Sequence, residues 1–318
     1  MKDNISRKAD SKLPQENIDV SVIFVNYNTE RLLQNCIQSI REQTNGLNYE
    51  LIVVDNASSE ISVKFIRENI EGITFIESKE NRGFGAGNNL GIPHARGKYL
   101  FFLNCDTILL NNAIKQFYDF MEEHKTEHIG CIGTYLIDKN LKVTNSYGGF
   151  HRLFREIFNR IKKMTRKILR RKKSSPASTT RGEIKEVEVI VGADMFVYKN
   201  AISECGPFDE SFFLYSEEND LQFRMKKINW KRMIITGPKI IHLEGGSPQN
   251  AFRKWNISTV SKIKYFRKHA FILSYLCYKT LVLTYILFMI FMDIFRKKHT
   301  MKENTGFLKM CASEKYFV

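Results

Sequence analysis

No two of the six cysteines in this 318-residue chain (Cys36, Cys105, Cys131, Cys205, Cys277 and Cys311) stand in a C-x-x-C spacing. That absence argues against a disulfide framework or a zinc site and fits a reducing cytosol. The N-terminal stretch MKDNISRKADSKLPQENID has no apolar run. It therefore predicts no secretion, and residues 1–18 read as a flexible tail. Acidic residues are scarce: 34 Asp and Glu face 49 Lys and Arg, a net charge of +15. Such a balance points to a polyanionic partner, whether nucleic acid, an anionic membrane surface or a phosphorylated substrate. Two common phosphate signatures are also missing. NRGFGAGNN alternates Gly83, Gly85 and Gly87, but no Lys-Ser or Lys-Thr follows, and G-x-G-x-x-G would need glycine where Leu90 stands. What remains is a loop whose backbone can approach a ligand closely, with Asn88 and Asn89 opening a short helix.

With 43% hydrophobic residues the chain can build ample core, as one large domain or two modest ones. VSVIFVNYN, ELIVVDNAS, ITFIES and KYLFFLNCD are short buried-strand runs, separated by the helical patterns RLLQNCIQSIREQ and ISVKFIRENI. This alternation predicts an α/β fold with a mostly parallel sheet covered on both faces. Ligands of such sheets bind beyond the carboxyl ends of the strands. Those ends here are polar: Asn26, Tyr27 and Asn28, then Asp55 and Asn56, then Asn104 and Asp106.

Further along, EVEVIVGADMFVYK reads as a strand and SEENDLQFRMKKI as a helix. RMIITGPKIIHLEGG reads as a strand pair around Gly237-Pro238. From Arg152 to Lys173 the chain is strongly basic, with Leu153, Ile157, Ile161, Met164 and Ile168 at helical intervals. It is either a solvated helix or a basic amphipathic helix on anionic lipid. Ala270 to Met292 is nearly all apolar, interrupted by Lys279 and flanked by basic clusters. As a helix it would extend roughly 35 Å, enough to cross a bilayer core. It reads as membrane-attached, against the alternative of a core helix pair.

Each candidate site residue has two readings. Asp55 can accept a hydrogen bond from a nucleobase imide or cap a turn. Glu217, Glu218 and Asp220 can supply a general base or complement a helix dipole behind Ser216 as N-cap. Clustering with Asp220 would raise the pKa of that base. His242 closes a strand as a structural residue or a ligand.

The order of these segments is more telling than any one of them. VSVIFVNYNT, LIVVDNASS, NRGFGAGNNLGI, YLFFLNCDT, VGADMFVYK, GPFDESFFLYSEENDLQFR and IIHLEGGS together resemble the family 2 glycosyltransferases of GT-A (Rossmann-like) fold. The likeness is closest to bacterial rhamnosyltransferases of surface polysaccharide synthesis. It implies a GT-A domain over 19–268, with a nucleotide-sugar-binding half (19–110) and an acceptor half (111–250) carrying the basic insertion 151–187. A membrane-associated helical region over 269–318 would follow. The implied reaction is inverting transfer, with a divalent cation (Mg2+ or Mn2+), from a nucleotide-diphospho-sugar to a saccharide or lipid-linked acceptor. The implied place is the cytoplasmic face of the cell membrane, with no nucleic acid as partner. Asn26, Asn28, Asp55, Arg82, Gly85, Asn88 and Asn104 would face the nucleotide sugar. Asp106 and His242 would hold the metal, and Glu218, with Glu217 beside it, would be the catalytic base. The family's D-x-D motif is reduced here, because Asn104 stands where its first Asp belongs.

Two rivals remain at this level. A sugar-nucleotide nucleotidyltransferase would need a basic glycine-rich activation loop near the N-terminus, which VSVIFVNYNTE lacks. A basic nucleic-acid-binding protein suits the charge, but the cations cluster beside apolar stretches rather than along a groove.

Overall fold

The structure, a computed structural model, describes residues 17–158, 162, 183–243, 251–296 and 301–316. β1 (Val20–Asn26) is almost wholly buried, as a strand must be when helices cover both faces of a parallel sheet. In α1 (Glu30–Gln43), Leu33, Cys36, Ile37 and Ile40 form the buried stripe that the helical spacing predicts. Next come β2 (Tyr49–Asp55), α2 (Glu60–Asn69), β3 (Thr74–Glu77), α3 (Phe84–Gly91) and β4 (Tyr99–Leu103). The strands β3, β2, β1 and β4 lie side by side, all parallel.

The chain continues through β5 (Thr107–Leu109), α4 (Ala113–Glu123), β6 (Ile129–Thr134) and β7 (Tyr147–Gly148). After these stand β8 (Lys185–Glu186), β9 (Val189–Ile190), β10 (Asp194–Tyr198) and α5 (Lys199–Cys205). Then follow α6 (Glu217–Lys227), β11 (Lys231–Ile235) and β12 (Ile240–His242). The completed sheet has eight strands in the order β3-β2-β1-β4-β10-β6-β11-β8. β10 runs antiparallel between β4 and β6, so the sheet is mostly parallel.

Side chains alternate across this sheet. Val22, Phe24, Phe101 and Phe196 pack on one face with Leu33, Ile37 and Phe117 of α1 and α4. Ile23, Phe102 and Met195 pack on the other with Leu221 and Met225 of α6.

One expectation is corrected. The strands around Gly237-Pro238 do not pair with each other: β11 joins the main sheet beside β6, and β12 pairs antiparallel with β5. Gly237 (φ 108) turns the chain out of the sheet. The Thr134 hydroxyl fixes that exit, 3.1 Å from the Ile235 carbonyl oxygen and 2.9 Å from that of Pro238.

A third core lies beyond the sheet. α7 (Ala251–His269), α8 (Ile272–Arg296) and α9 (Met301–Ser313) bury Val260, Ile263, Phe266, Tyr278, Val282, Ile286 and Phe307 among themselves. α8 is the apolar helix expected from the sequence. α7, assigned above to the catalytic domain, shares its core with the C-terminal helices. Most of the basic segment 152–173, and residues 244–247 of the IIHLEGGS motif, fall outside the described residues.

Candidate functional site

The register of β1 against β2 sets Asn26 beside Asp55 at the sheet's carboxyl edge. Asn26 Nδ2 donates to Asp55 Oδ1 (2.9 Å), and Asn26 Oδ1 accepts from the Thr29 amide (3.2 Å). Asp55 Oδ2 accepts from the Ser58 amide at 2.9 Å, which is the turn-forming geometry of an Asx residue. At 0% and 1% exposure, Asn26 and Asp55 brace the strand ends from beneath. Asp55 borders a separate cleft of about 600 Å³ with Ser58 and Ser78. Asn28, exposed and left-handed (φ 54), accepts from the Ser59 amide.

The next residue, Asn56, reaches the glycine segment. Its Nδ2 donates to Asn81 Oδ1 (3.0 Å) and to the Gly83 carbonyl (3.1 Å), and its Oδ1 accepts from the Arg82 amide (3.1 Å). Tyr27, Asn56 and Asn81 line a cavity of about 200 Å³.

The glycine segment itself is a helix rather than the loop expected. α3 begins at Phe84, so Asn88 and Asn89 lie inside it. Gly87 and Gly91, four residues apart, let the helix rest on the sheet, whereas Gly83 lies against the Phe213 backbone. An added Cβ at Gly87 would lie 2.7 Å from Val25 Cγ1, and one at Gly91 2.7 Å from Ile23 Cγ2. Gly85 faces the other way, where its Cβ would meet Phe208 Cβ at 3.0 Å and Glu217 Cβ at 3.5 Å. Asn88 is buried and donates to the Phe84 carbonyl, whereas Arg82 sits on the surface paired with Glu210.

Asn104, Cys105 and Asp106, directly after β4, line the same cavity as Asn56. β5 follows at once, and its pairing with β12 puts His242 opposite Thr107. His242 Nε2 thus lies 3.3 Å from Asp106 Oδ1 and 3.5 Å from Asn104 Nδ2. Two cis ligands, each about 2.1 Å from an octahedral Mg2+, are about 3 Å apart. Asp106 and His242 therefore suit neighbouring corners of one ion. Among the described residues no three His, Cys, Asp or Glu side chains gather at one point.

The opposite wall of the cavity is Phe213 and Leu214, neither of which was singled out in the sequence. They lead into Tyr215 and Ser216, consecutive residues with φ 67 and 70. Each such left-handed residue costs about 1–3 kcal/mol and persists only where its surroundings enforce it. Ser216 occupies the N-cap position of α6 but makes no capping bond, its hydroxyl lying 3.0 Å from His151 Nε2 instead.

Glu217 and Glu218 follow. Burial drives the Glu217 carboxyl well above the usual carboxylate range, the Glu218 charge adds to this, and Glu217 Oε2 has no hydrogen-bond partner among the described residues. Burial raises Glu218 as well. The clustering expected with Asp220 does not occur. Burial alone would raise Asp220, but His269, Arg224 and Lys268 overcome it and hold this carboxyl down at about 2. A Cβ on Gly192 would lie 3.9 Å from Glu218 Cβ and 3.5 Å from the ring of Phe84, which lines the cavity.

Comparison with known proteins agrees with this architecture. Residues 21–184 match the family model described as Glycosyl transferase family 2. An uncharacterized glycosyltransferase, MJ1057 of Methanocaldococcus jannaschii, is 31% identical over 142 residues, which cover 43% of this chain and 49% of that protein. The minor teichoic acid biosynthesis protein GgaB of Bacillus subtilis is 35% identical over 115 residues, covering 35% of this chain and 13% of that protein. The matched stretches thus span less than half the length of these relatives. Among solved structures, GalNAc-T7 with UDP, GalNAc and Mn2+ superposes with a TM-score of 0.52 at 13% identity, over 79% of this chain and 50% of that one. That likeness concerns the fold, which is GT-A. With more than half of its length matched, including every strand end that borders the cavity, the chain belongs to glycosyl transferase family 2.

Proposed function

We propose that the protein transfers a sugar, with inversion, from a nucleotide-diphospho-sugar to a hydroxyl of a saccharide or lipid-linked saccharide in bacterial surface polymer synthesis. The observation that carries this reading is the cavity lined by Asp106 and by Phe213 and Leu214, which lead through the strained Tyr215 and Ser216 into Glu217 and Glu218. GgaB's role in teichoic acid synthesis supports a surface polymer as acceptor. Rhamnose as the sugar rests on the motif resemblance.

Tyr27, 41% exposed at the cavity, offers a ring face to the nucleobase, and Asn56 and Asn81 shape the backbone beside it. Asp106 and His242 would hold the divalent cation, which neutralises the charge of the diphosphate. Burial raises both carboxyls, and the buried, like-charged neighbours disfavour ionising together. We assign the proton to Glu217 and the role of base to Glu218. The acceptor oxygen bonds to the anomeric carbon as the bond to the diphosphate oxygen breaks. Its proton passes to Glu218.

Asp106→Ala tests the metal assignment. Screened against UDP-glucose, UDP-N-acetylglucosamine and dTDP-rhamnose, this variant should lose Mn2+-dependent turnover while its melting temperature stays within about 4 °C of the parent. Undiminished turnover would discard Asp106 as a ligand.

We also propose that α8 lies in a membrane interface. Its Tyr278, Val282 and Ile286 pack against α7 and α9, whereas Leu273, Leu276, Leu287, Phe288 and Phe291 are exposed. Lys279, in the middle of the apolar stretch, pairs with Glu314 at 2.7 Å on the protein side. Crossing the bilayer would carry that pair into hydrocarbon, while lying flat keeps it within the bundle. The helix is long and apolar enough to span by length and composition. Replacing Leu273 and Phe288 together by Glu should abolish flotation with vesicles of mixed phosphatidylcholine and phosphatidylglycerol. Unchanged flotation rules out this surface as the contact.

A further inference from the structure

A buried chain of polar groups runs behind the catalytic turn and has no part in the reaction described above. Ser216 Oγ lies 3.0 Å from His151 Nε2, and His151 Nδ1 lies 3.1 Å from Glu156 Oε1. Glu156 Oε2 accepts from Lys262 Nζ of α7 at 2.8 Å. Ser216 and Glu156 are 3% and 7% exposed. The Ser–His–Glu order resembles a nucleophile triad, but the Ser216 hydroxyl is buried against the imidazole, and Ser216 lines neither the cavity of about 200 Å³ nor the pocket of about 270 Å³ that His151 borders with Phe223 and Tyr265.

We propose that His151 is a positioning residue: anchored by Glu156 and Lys262, it locks Ser216 and thereby the strained turn that presents Glu217 and Glu218. This rests on the reading of that pair as the acid–base centre.

The proton positions follow from the chemistry. The Glu156 carboxyl is held at about 2: burial would raise it, but His151 and Lys262 outweigh that, so it is ionised and only accepts. His151 Nδ1–H must then donate to it. That leaves Nε2 as the acceptor for the Ser216 hydroxyl in the neutral ring, the form that burial favours. Ser216 thus has one available partner, and its rotamer is fixed.

The turn needs such a lock, because two consecutive non-glycine residues in the left-handed region would otherwise relax. α7 supplies further holds on the same segment. Ser261 Oγ donates to the Leu214 carbonyl (2.7 Å), Lys264 Nζ to that of Ser211 (2.5 Å), and His269 Nε2 to Asp220 Oδ1 (2.6 Å). His151 is the contact that grips the left-handed residue immediately before the acids.

The test uses the full chain with His151→Ala, His151→Gln and Ser216→Ala, read by hydrogen exchange and by turnover of whichever of the three nucleotide sugars named above the parent accepts. In His151→Ala and Ser216→Ala the amides of residues 217–220 should exchange about ten-fold faster or more, while those of β1 and β4 keep the parent rate. Turnover should fall in kcat by about ten-fold or more with donor KM within about two-fold, the signature of a misplaced catalytic group. His151→Gln, whose amide can accept from Ser216 and donate to Glu156 at once, should recover most of both. Unchanged exchange at 217–220, or exchange accelerated equally throughout the sheet, would overturn the proposal. Should His151→Ala fail to fold, Ser216→Ala decides alone. Glu218→Gln, assayed alongside, separates the two ideas: full activity there removes the acid–base reading, and exchange at the turn still judges the lock.

Discussion

Glu218→Gln is expected to lower kcat by about 10²- to 10⁴-fold, the range for loss of a general base, with donor KM nearly unchanged. The amide keeps the shape of the side chain but cannot take a proton from the acceptor. The pH profile provides a second signature. Burial raises this carboxyl, so the acidic limb of kcat/KM should lie above the ordinary Glu value of about 4.3. As pH falls through that limb Glu218 gains a proton and the rate drops. The variant should lose the limb along with the rate. Glu217→Gln should be the milder change, since a protonated carboxyl and an amide are alike in charge. If Glu217→Gln proves the more damaging of the two, the roles are reversed.

Gly83→Ala should be as severe by a different route. Gly83 has φ 90 and ψ −179, a region populated almost only by glycine. Its added methyl would also sit 1.8 Å from the Phe213 carbonyl oxygen. That oxygen accepts from the Phe84 amide at 3.0 Å, so it cannot retreat without breaking the contact that joins α3 to the far wall of the cavity. Backbone strain and overpacking together should cost about 3 kcal/mol or more. Denaturant unfolding should register this as a lower midpoint, accompanied by loss of turnover with whichever of the nucleotide sugars named above the parent accepts. Gly148→Ala is the matching control, because a Cβ there meets nothing within 4 Å. Equal midpoints for the two variants would refute the packing argument.

The strands and most helices of the catalytic domain could be read from the sequence because burial on both faces imposes continuous apolar runs, and VSVIFVN and YLFFL have no other use. The convergence of Asp106 and His242 could be anticipated only in part. Each stands at a strand end, but the ladder that joins them pairs segments more than 130 residues apart, and no local pattern encodes such a register. The glycine run was legible as unusual and misleading as to cause. Gly83, Gly85 and Gly87 alternate with period two, whereas the packing on the sheet follows Gly87 and Gly91, four residues apart, and Gly83 meets Phe213 instead. Phe213 and Leu214 fall within the segment GPFDESFFLYSEENDLQFR, but an aromatic and a leucine in a loop look like ordinary core until the cavity beside them is seen. Ser216 had the composition of a cap and a different partner. Only tertiary contact with His151, 65 residues away, redirects its hydroxyl.

The C-terminal bundle is not a detachable anchor. Tyr316, just past α9, donates its hydroxyl to Ser261 Oγ at 2.8 Å, and Ser261 in turn donates to the carbonyl of Leu214 in the cavity wall. The ring of Tyr316 lies 5.8 Å from that of Phe213. Trimming the apolar helices to gain solubility would therefore remove part of the backing of the cavity wall. The shortened protein would have lost part of the support behind Phe213 and Leu214, so the bundle that offers an apolar face outward also braces the cavity wall.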